Sequence, residues 1–317
     1  MKILLAQPRG FCAGVSRAID VVEQVLRIEK APVYVRHEVV HNRYVVEDLK
    51  NKGAIFIDEL TEIPDNSVVV FSAHGVSKLV RSEAKLKNLT VYDATCPLVT
   101  KVHIEVQKAS EKNMECILIG HKGHPEVVGT LGQYQSRNAK IYLVESLEDV
   151  ETIHVINPEN LYFTTQTTLS VDETKSIVSA LKKKYPKILM PKKEDICYAT
   201  QNRQNAVKDL AKQADVVLVV GSKNSSNSNR LKELSEKLGV PSYLIDGPED
   251  IINTWFDGVD NVGLTAGASA PEELVEKVIS RLKITLSCDN VEILNGVEEK
   301  VFFPLPRKLK LELNKAV

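Results

Sequence analysis

Residues 93–109 read DATCPLVTKVHIEVQKA. The strand-like run TVYDAT ends just before the cysteine. After it, Val99, Val102 and Val106 recur at helical spacing. Cys96 therefore sits where a strand hands over to a helix. The same hand-over occurs in GFCAGVSRAIDVVEQVL at 10–26, around Cys12, and in DICYATQNRQNAVKDLAKQ at 195–213, around Cys197.

Outward from each cysteine, the next strand empties into a polar loop at a near-constant distance. Cys12 reaches His41 after 29 residues, Cys96 reaches His124 after 28, and Cys197 reaches Ser225 after 28. The following polar exits are His74, Thr167 and Ser269, at 62, 71 and 72 residues. Two aligned offsets in three copies point to an internal repeat. Strands and amphipathic helices alternate throughout, which is an α/β pattern. PVYVRHEV, AIFIDEL and SVVVFSAHG are strands of the first copy. CILIGHKGHPE, IYLVES, LYFTTQT and ILMPK belong to the second, and VVLVVGSKNSS, SYLIDG and NVGLTAGAS to the third.

The expected organisation is three α/β units, at 12–95, 96–196 and 197–283, with a C-terminal tail at 284–317. Each unit closes on a strand running into the next cysteine, and the third has no successor. The strand KILLAQP in residues 1–11 is expected to serve there, closing the units into a ring whose strand ends face one axis.

The chain has 317 residues, 43% of them apolar and 26% charged, with a net charge of −1. That composition suits a globular chain and gives no bulk attraction to nucleic acid or acidic membranes. Apolar runs are strand-sized, well short of a bilayer span, and MKILLAQPRG has too short an apolar core for a signal peptide. A cytoplasmic location is expected. The five cysteines, at 12, 96, 116, 197 and 288, contain no close C-x-x-C pair. A disulfide framework and a zinc ribbon are both disfavoured.

Three cysteines at the carboxyl ends of strands, each opening a helix, read as thiolates facing a binding crevice. Soft thiolates select iron–sulfur clusters, zinc or cuprous copper. Packing alone does not require a thiol at every helix start. Cys116, in MECILIG, reads as strand core. Cys288 is followed by strand and loop rather than helix, and is left out.

GSKNSSNSNR at 221–230 follows the strand ADVVLVV and precedes the helical LKELSEKLG. A flexible linker lacks such flanks. Small hydroxyl and amide side chains opening a helix read instead as an anion cradle. Neither a Walker A motif nor a G-x-G-x-x-G fingerprint is present, which disfavours nucleotides. In HKGHPE at 121–126, Pro125 and the preceding strand put both histidines on a loop rather than one helical face. His37, His103, His121 and His154 read as structural or solvated. Glu126 is either a surface glutamate or a closed-pocket carboxyl able to give a proton.

PRGFCAGVSRAI, RHEVVHNRYVV, FSAHGVS, DATCPLVTKVH, IGHKGHPEVVGT, TTQTTLS, DICYATQNRQ, VVGSKNSSNSNRL and TAGASAP closely resemble the LytB family of 4-hydroxy-3-methylbut-2-enyl diphosphate reductases. The resemblance runs over about residues 1–283, and the tail matches less clearly. It implies three pseudo-repeated α/β units arranged as a trefoil around a central 4Fe–4S cluster. Cys12, Cys96 and Cys197 would be the cluster ligands. His41, His74, His124, Ser225, Ser226, Asn227 and Ser269 would bind the substrate diphosphate. Thr167 would sit by the substrate hydroxyl, and Glu126 would be the proton source, with Thr167 and His124 assisting. No position departs from the family pattern. The implied reaction is a two-electron reductive dehydroxylation ending the methylerythritol phosphate route to isoprenoids, with ferredoxin or flavodoxin as electron donor. Three rivals use the same thiols: an iron–sulfur hydro-lyase, a metal or redox sensor, and a tricysteine zinc site.

Overall fold

Helices and strands alternate along the chain as the apolar periodicity requires. The computed structural model describes residues 1–29 and 32–315. The chain opens with β1 (Lys2–Leu5), α1 (Ala13–Ile28), β2 (Val33–Arg36), α2 (Arg43–Asn51) and β3 (Ala54–Ile57). It continues through β4 (Val68–Phe71), α3 (Lys78–Leu86), β5 (Thr90–Asp93) and α4 (Pro97–Glu111). Next come β6 (Glu115–Ile119), α5 (Pro125–Leu131), β7 (Ile141–Val144), α6 (Leu147–Thr152), β8 (Leu161–Thr165) and α7 (Val171–Lys184). Then follow α8 (Tyr198–Leu210), β9 (Val216–Val220), α9 (Ser226–Lys237), β10 (Ser242–Ile245), β11 (Asn261–Ala266), α10 (Glu272–Leu286), β12 (Val291–Ile293) and α11 (Arg307–Lys315).

Among the described residues the strands form three sheets, ordered β10-β9-β11-β1-β12, β3-β2-β4-β5 and β7-β6-β8. Every pairing among them is parallel. Parallel neighbours cannot be joined by a hairpin, so helices carry the crossovers. The loops leaving the strands then gather at one edge of each sheet, where α/β folds bind ligands. The class is α/β.

Two compact units account for the chain. One comprises residues 1–16, 40–48 and 198–302 and contains the five-stranded sheet. The other comprises 17–39, 49–197 and 303–317 and contains the remaining two sheets. In the first, β1 lies between β11 and β12, with Ile3 opposite Val262 and Val291.

The central strands are buried on both faces, as their unbroken apolar runs require. VVLVV of β9 is wholly buried, and alternate residues serve opposite layers. Val216, Leu218 and Val220 pack with Leu274, Val275 and Val278 of α10. Val217 and Val219 pack with Val207 and Leu210 of α8 and Leu231 of α9. Each such side chain contributes about 1.5–3 kcal/mol by leaving water. In the second unit, Ile117, Leu161 and Phe163 pack with Ile177 and Leu181 of α7, while Val69 and Phe71 pack with Val80 and Ala84 of α3.

One expected strand does not form. ILMPK makes only an isolated bridge, Leu189 to Tyr162, and its Leu189 and Met190 are exposed. Pro191 has no N–H to extend a ladder, so the apolar run ends as an edge contact. Among the described residues no helix is long and apolar enough to cross a membrane.

Candidate functional site

In the second unit the site residues form one connected chain of contacts. Cys96 caps α4 ahead of Pro97, and its N–H donates to the carbonyl of Ala73 (3.0 Å), next to His74. The His74 and His124 rings meet edge-on, centroids 5.7 Å apart. His124 caps α5, its Nδ1 accepting from the Glu126 N–H at 3.1 Å. A neutral ring with Nδ1 as acceptor keeps its proton on Nε2. Glu126 lies in the first turn of α5 and is only 2% exposed. Its carboxyl accepts from the N–H of Thr167 at 2.7 Å and from the Thr167 hydroxyl at 2.9 Å. The carbonyl of Thr167 in turn accepts from the N–H of Cys197 at 3.1 Å.

Burial pushes the Glu126 carboxyl up to about 7, against the opposing pull of its two Thr167 bonds. It can therefore hold a proton near neutrality. The surface-glutamate reading is excluded. His103 is likewise buried, and desolvation lowers it to about 4, in line with its structural reading.

In the first unit, α9 begins at the cradle. Ser225 caps the helix, accepting from the Ser228 N–H, and Ser226 and Asn227 form the first turn. The first turn of a helix carries N–H groups without intrahelical partners, aimed along the positive end of its dipole. The Asn227 Oδ1 accepts from the N–H of Ala268 at 2.8 Å, and the Cys12 N–H donates to the carbonyl of the same Ala268 at 3.2 Å. Ser269 donates its hydroxyl to the carbonyl of His41 at 2.8 Å. Cys12, His41, Ser225, Asn227 and Ser269 thus share one edge of the five-stranded sheet. Gly267 permits this approach, because a Cβ there would overlap the Ser228 side chain.

The donor chemistry fits a thiolate-held group. Cys12, Cys96 and Cys197 are half-buried, and none of the five cysteines is in a disulfide. Each immediately precedes the first residue of a helix, α1, α4 or α8. Arg17 adds a cation beside Cys96, its Nη1 held by the carbonyls of Ala94 and Thr95 at 3.2 and 3.0 Å. The two excluded cysteines differ. Burial drives the Cys116 thiol well above its ordinary range, and the Cys288 thiol donates to the carbonyl of Met1 at 2.8 Å, beyond the C-terminal end of α10. Among the described residues no three His, Cys, Asp or Glu side chains are gathered around one ion position.

Several supporting residues escaped the sequence reading. Asp195, two residues before Cys197, is buried and accepts from the Thr164 hydroxyl (2.8 Å), the Thr165 N–H (3.0 Å) and Lys101 (2.7 Å). It ties the Cys197 segment to β8 and α4. Ser222 accepts from the Arg43 N–H at 2.9 Å and so fixes the turn after His41. Asp195 is a single acidic residue in a polar loop, and Ser222 lies within the 221–230 stretch without any pattern that marks its bond to the residue 43 backbone.

The family model described as "LytB protein" matches residues 3–283. The "4-hydroxy-3-methylbut-2-enyl diphosphate reductase" of Photobacterium profundum is 61% identical over 312 residues, covering 98% of this chain and 99% of that protein. The protein of the same name from Actinobacillus pleuropneumoniae is 61% identical over 311 residues, again covering 98% and 99%. Among solved structures, the E-1-hydroxy-2-methyl-but-2-enyl-4-diphosphate reductase of Plasmodium falciparum superposes with a TM-score of 0.95 at 38% identity, over 99% of this chain and 98% of that one. With its motifs, its parallel sheets and these matches over nearly its full length, the chain belongs to the LytB family.

Proposed function

We propose that the chain reduces 4-hydroxy-3-methylbut-2-enyl diphosphate to isopentenyl diphosphate and dimethylallyl diphosphate, the last step of the methylerythritol phosphate route. The observation that carries this reading is the buried Glu126 carboxyl, bonded twice to Thr167, one hydrogen bond away from the Cys197 turn. A surface-type carboxylate has no reason to be desolvated there, whereas a proton donor does.

The reaction balances as one allylic C–OH, two electrons and two protons giving one C–H and one water. The C–O bond breaks, one proton leaves with the oxygen, and the second ends on carbon. Protonation at either end of the allylic fragment gives the two products. A 4Fe–4S cluster, held by Cys12, Cys96 and Cys197, would supply the electrons and a Lewis-acidic iron for the hydroxyl oxygen.

The chain's own residues do the rest. Ser225, Ser226, Asn227, Ser269, His41, His74 and His124 hold the diphosphate. Hydrogen bonds to a charged oxygen contribute about 1.5–3 kcal/mol each, so a few suffice. Thr167 orients the substrate hydroxyl. Glu126, protonated near neutrality, releases its proton to the departing oxygen, and His124 assists from its Nε2 side. A one-electron carrier, ferredoxin or flavodoxin, delivers the electrons in two steps, and the enzyme works in the cytoplasm.

Anaerobic turnover with and without reduced methyl viologen tests this directly. Products should form only with the reductant. Turnover without it would replace the reductase by an iron–sulfur hydro-lyase.

A further inference from the structure

The family match ends at residue 283, yet the chain beyond it follows the N-terminal strand closely. Within the first unit, β12 pairs with β1, Val291 opposite Ile3 and Ile293 opposite Leu5. The Leu294 N–H then donates to the carbonyl of Leu5 at 2.9 Å. Two residues on, Gly296 lies so close to the backbone of Gln7 that a Cβ would overlap its carbonyl. Only glycine allows that approach. The segment ends at Glu299, whose carboxylate takes both terminal nitrogens of Arg203 at 3.0–3.3 Å and the side-chain amide of Asn202 at 3.0 Å.

Arg203 is completely buried. Its Nε and Nη2 donate to the carbonyl of Gly10 at 3.0 and 2.6 Å, its Nη2 reaches the carbonyl of Phe11 at 3.3 Å, and its Nη1 donates to Ala199 at 3.1 Å. The N–H side of the same turn is held elsewhere, Gly10 by Ala266 and Cys12 by Ala268, both at 3.2 Å. The turn ending in Cys12 is thus gripped on both sides, and its carbonyl side depends on a buried guanidinium. Such a cation is tolerated only with a partner charge, and Glu299 supplies it.

We propose that residues 291–299 brace the Cys12 turn, and that Glu299, acting through Arg203, is a positioning residue for the Cys12 thiol. The proposal rests on the reading of Cys12 as a cluster ligand, which gives the bracing its purpose. Without Glu299, Arg203 must leave its pocket for water, and the carbonyls of Gly10 and Phe11 lose their donors. The turn then opens locally while the sheet beneath it persists.

The test uses the full-length chain, purified without iron, with iodoacetamide as probe and peptide mass spectrometry to follow Cys12 and Cys96 in the same sample. In E299A, alkylation of Cys12 should accelerate about tenfold, with Cys96 unchanged. E299Q keeps the shape and one acceptor, and should give a smaller rise at Cys12 alone. Should E299A fail to fold, E299Q decides. Unchanged Cys12 reactivity, or a rise shared equally by Cys96, would overturn the proposal. Because the readout is a bare thiol, it is independent of whether the native chain carries a cluster.

Discussion

Thr167 grips the Glu126 carboxyl with both of its donors, the N–H at 2.7 Å and the hydroxyl at 2.9 Å. This pairing fixes the acid's orientation and moderates the rise in its pKa. Replacing Glu126 by Gln keeps the shape but removes the transferable proton. Turnover should fall by about 10²–10⁴, the usual worth of a positioned general acid, with little change in KM. In T167V the hydroxyl bond that lowers the pKa is gone. The loss of activity with rising pH, centred near 7 in the wild type, should then move to higher pH in a kcat–pH profile.

The same carboxyl makes folding stability depend on pH. Its folded pKa of about 7 lies above the ordinary 4.5, so the native state binds the extra proton between those values. Stability from this group is fully present below about 4.5 and is lost as pH rises through 7. Gln cannot ionise and escapes the loss. The melting temperature of E126Q should therefore rise relative to the wild type as pH increases from 5 to 8. The full effect is on the order of 3 kcal/mol. Melting curves at matched pH values check it, and a constant difference would contradict the assignment.

The cradle at the start of α9 should respond to diphosphate alone. Inorganic diphosphate should raise the melting temperature of the wild type, because it binds only the folded chain. N227A removes a proposed diphosphate contact and the bond from Ala268, and its KM for substrate should rise about 10- to 100-fold. S225A should lose about 1 kcal/mol of stability with its helix cap, in addition to weaker diphosphate binding. Calorimetric titration with inorganic diphosphate separates the two effects.

Gly267 and Ser228 form a steric pair. G267A should cost about 1–3 kcal/mol by pushing the first turn of α9 off the strand ends. S228A removes the Oγ that a new methyl would strike, so the double variant should recover most of that loss in a chemical-denaturation cycle. Additive losses would show that Gly267 serves something other than this close approach.

Much of this was legible in the sequence because the switch from strand to helix is written in local periodicity. Cys12, Cys96 and Cys197 could be phased against one another, and so could His41, His124 and Ser225. The buried state of Glu126 could not be read, since it depends on Thr167, 41 residues away, and no local pattern encodes that pairing. Arg203 and Glu299 are further apart still, at 96 residues, and each looks like a solvated charge in a polar context. ILMPK failed for the opposite reason. Its apolar composition signals a strand, but Pro191 and an exposed edge position leave it a single bridge.

The proposed iron–sulfur cluster, held by three cysteines that each precede a helix, is decided by anaerobic purification followed by an absorption spectrum with iron and sulfide analysis. The account predicts a brown protein with a broad band near roughly 400 nm and about four irons per chain. That chromophore should disappear on Ser replacement of Cys12, Cys96 or Cys197 and persist in C288S. A protein that stays colourless after reconstitution with iron and sulfide would contradict it, and the three cysteines would have to be reassigned to zinc or to structure.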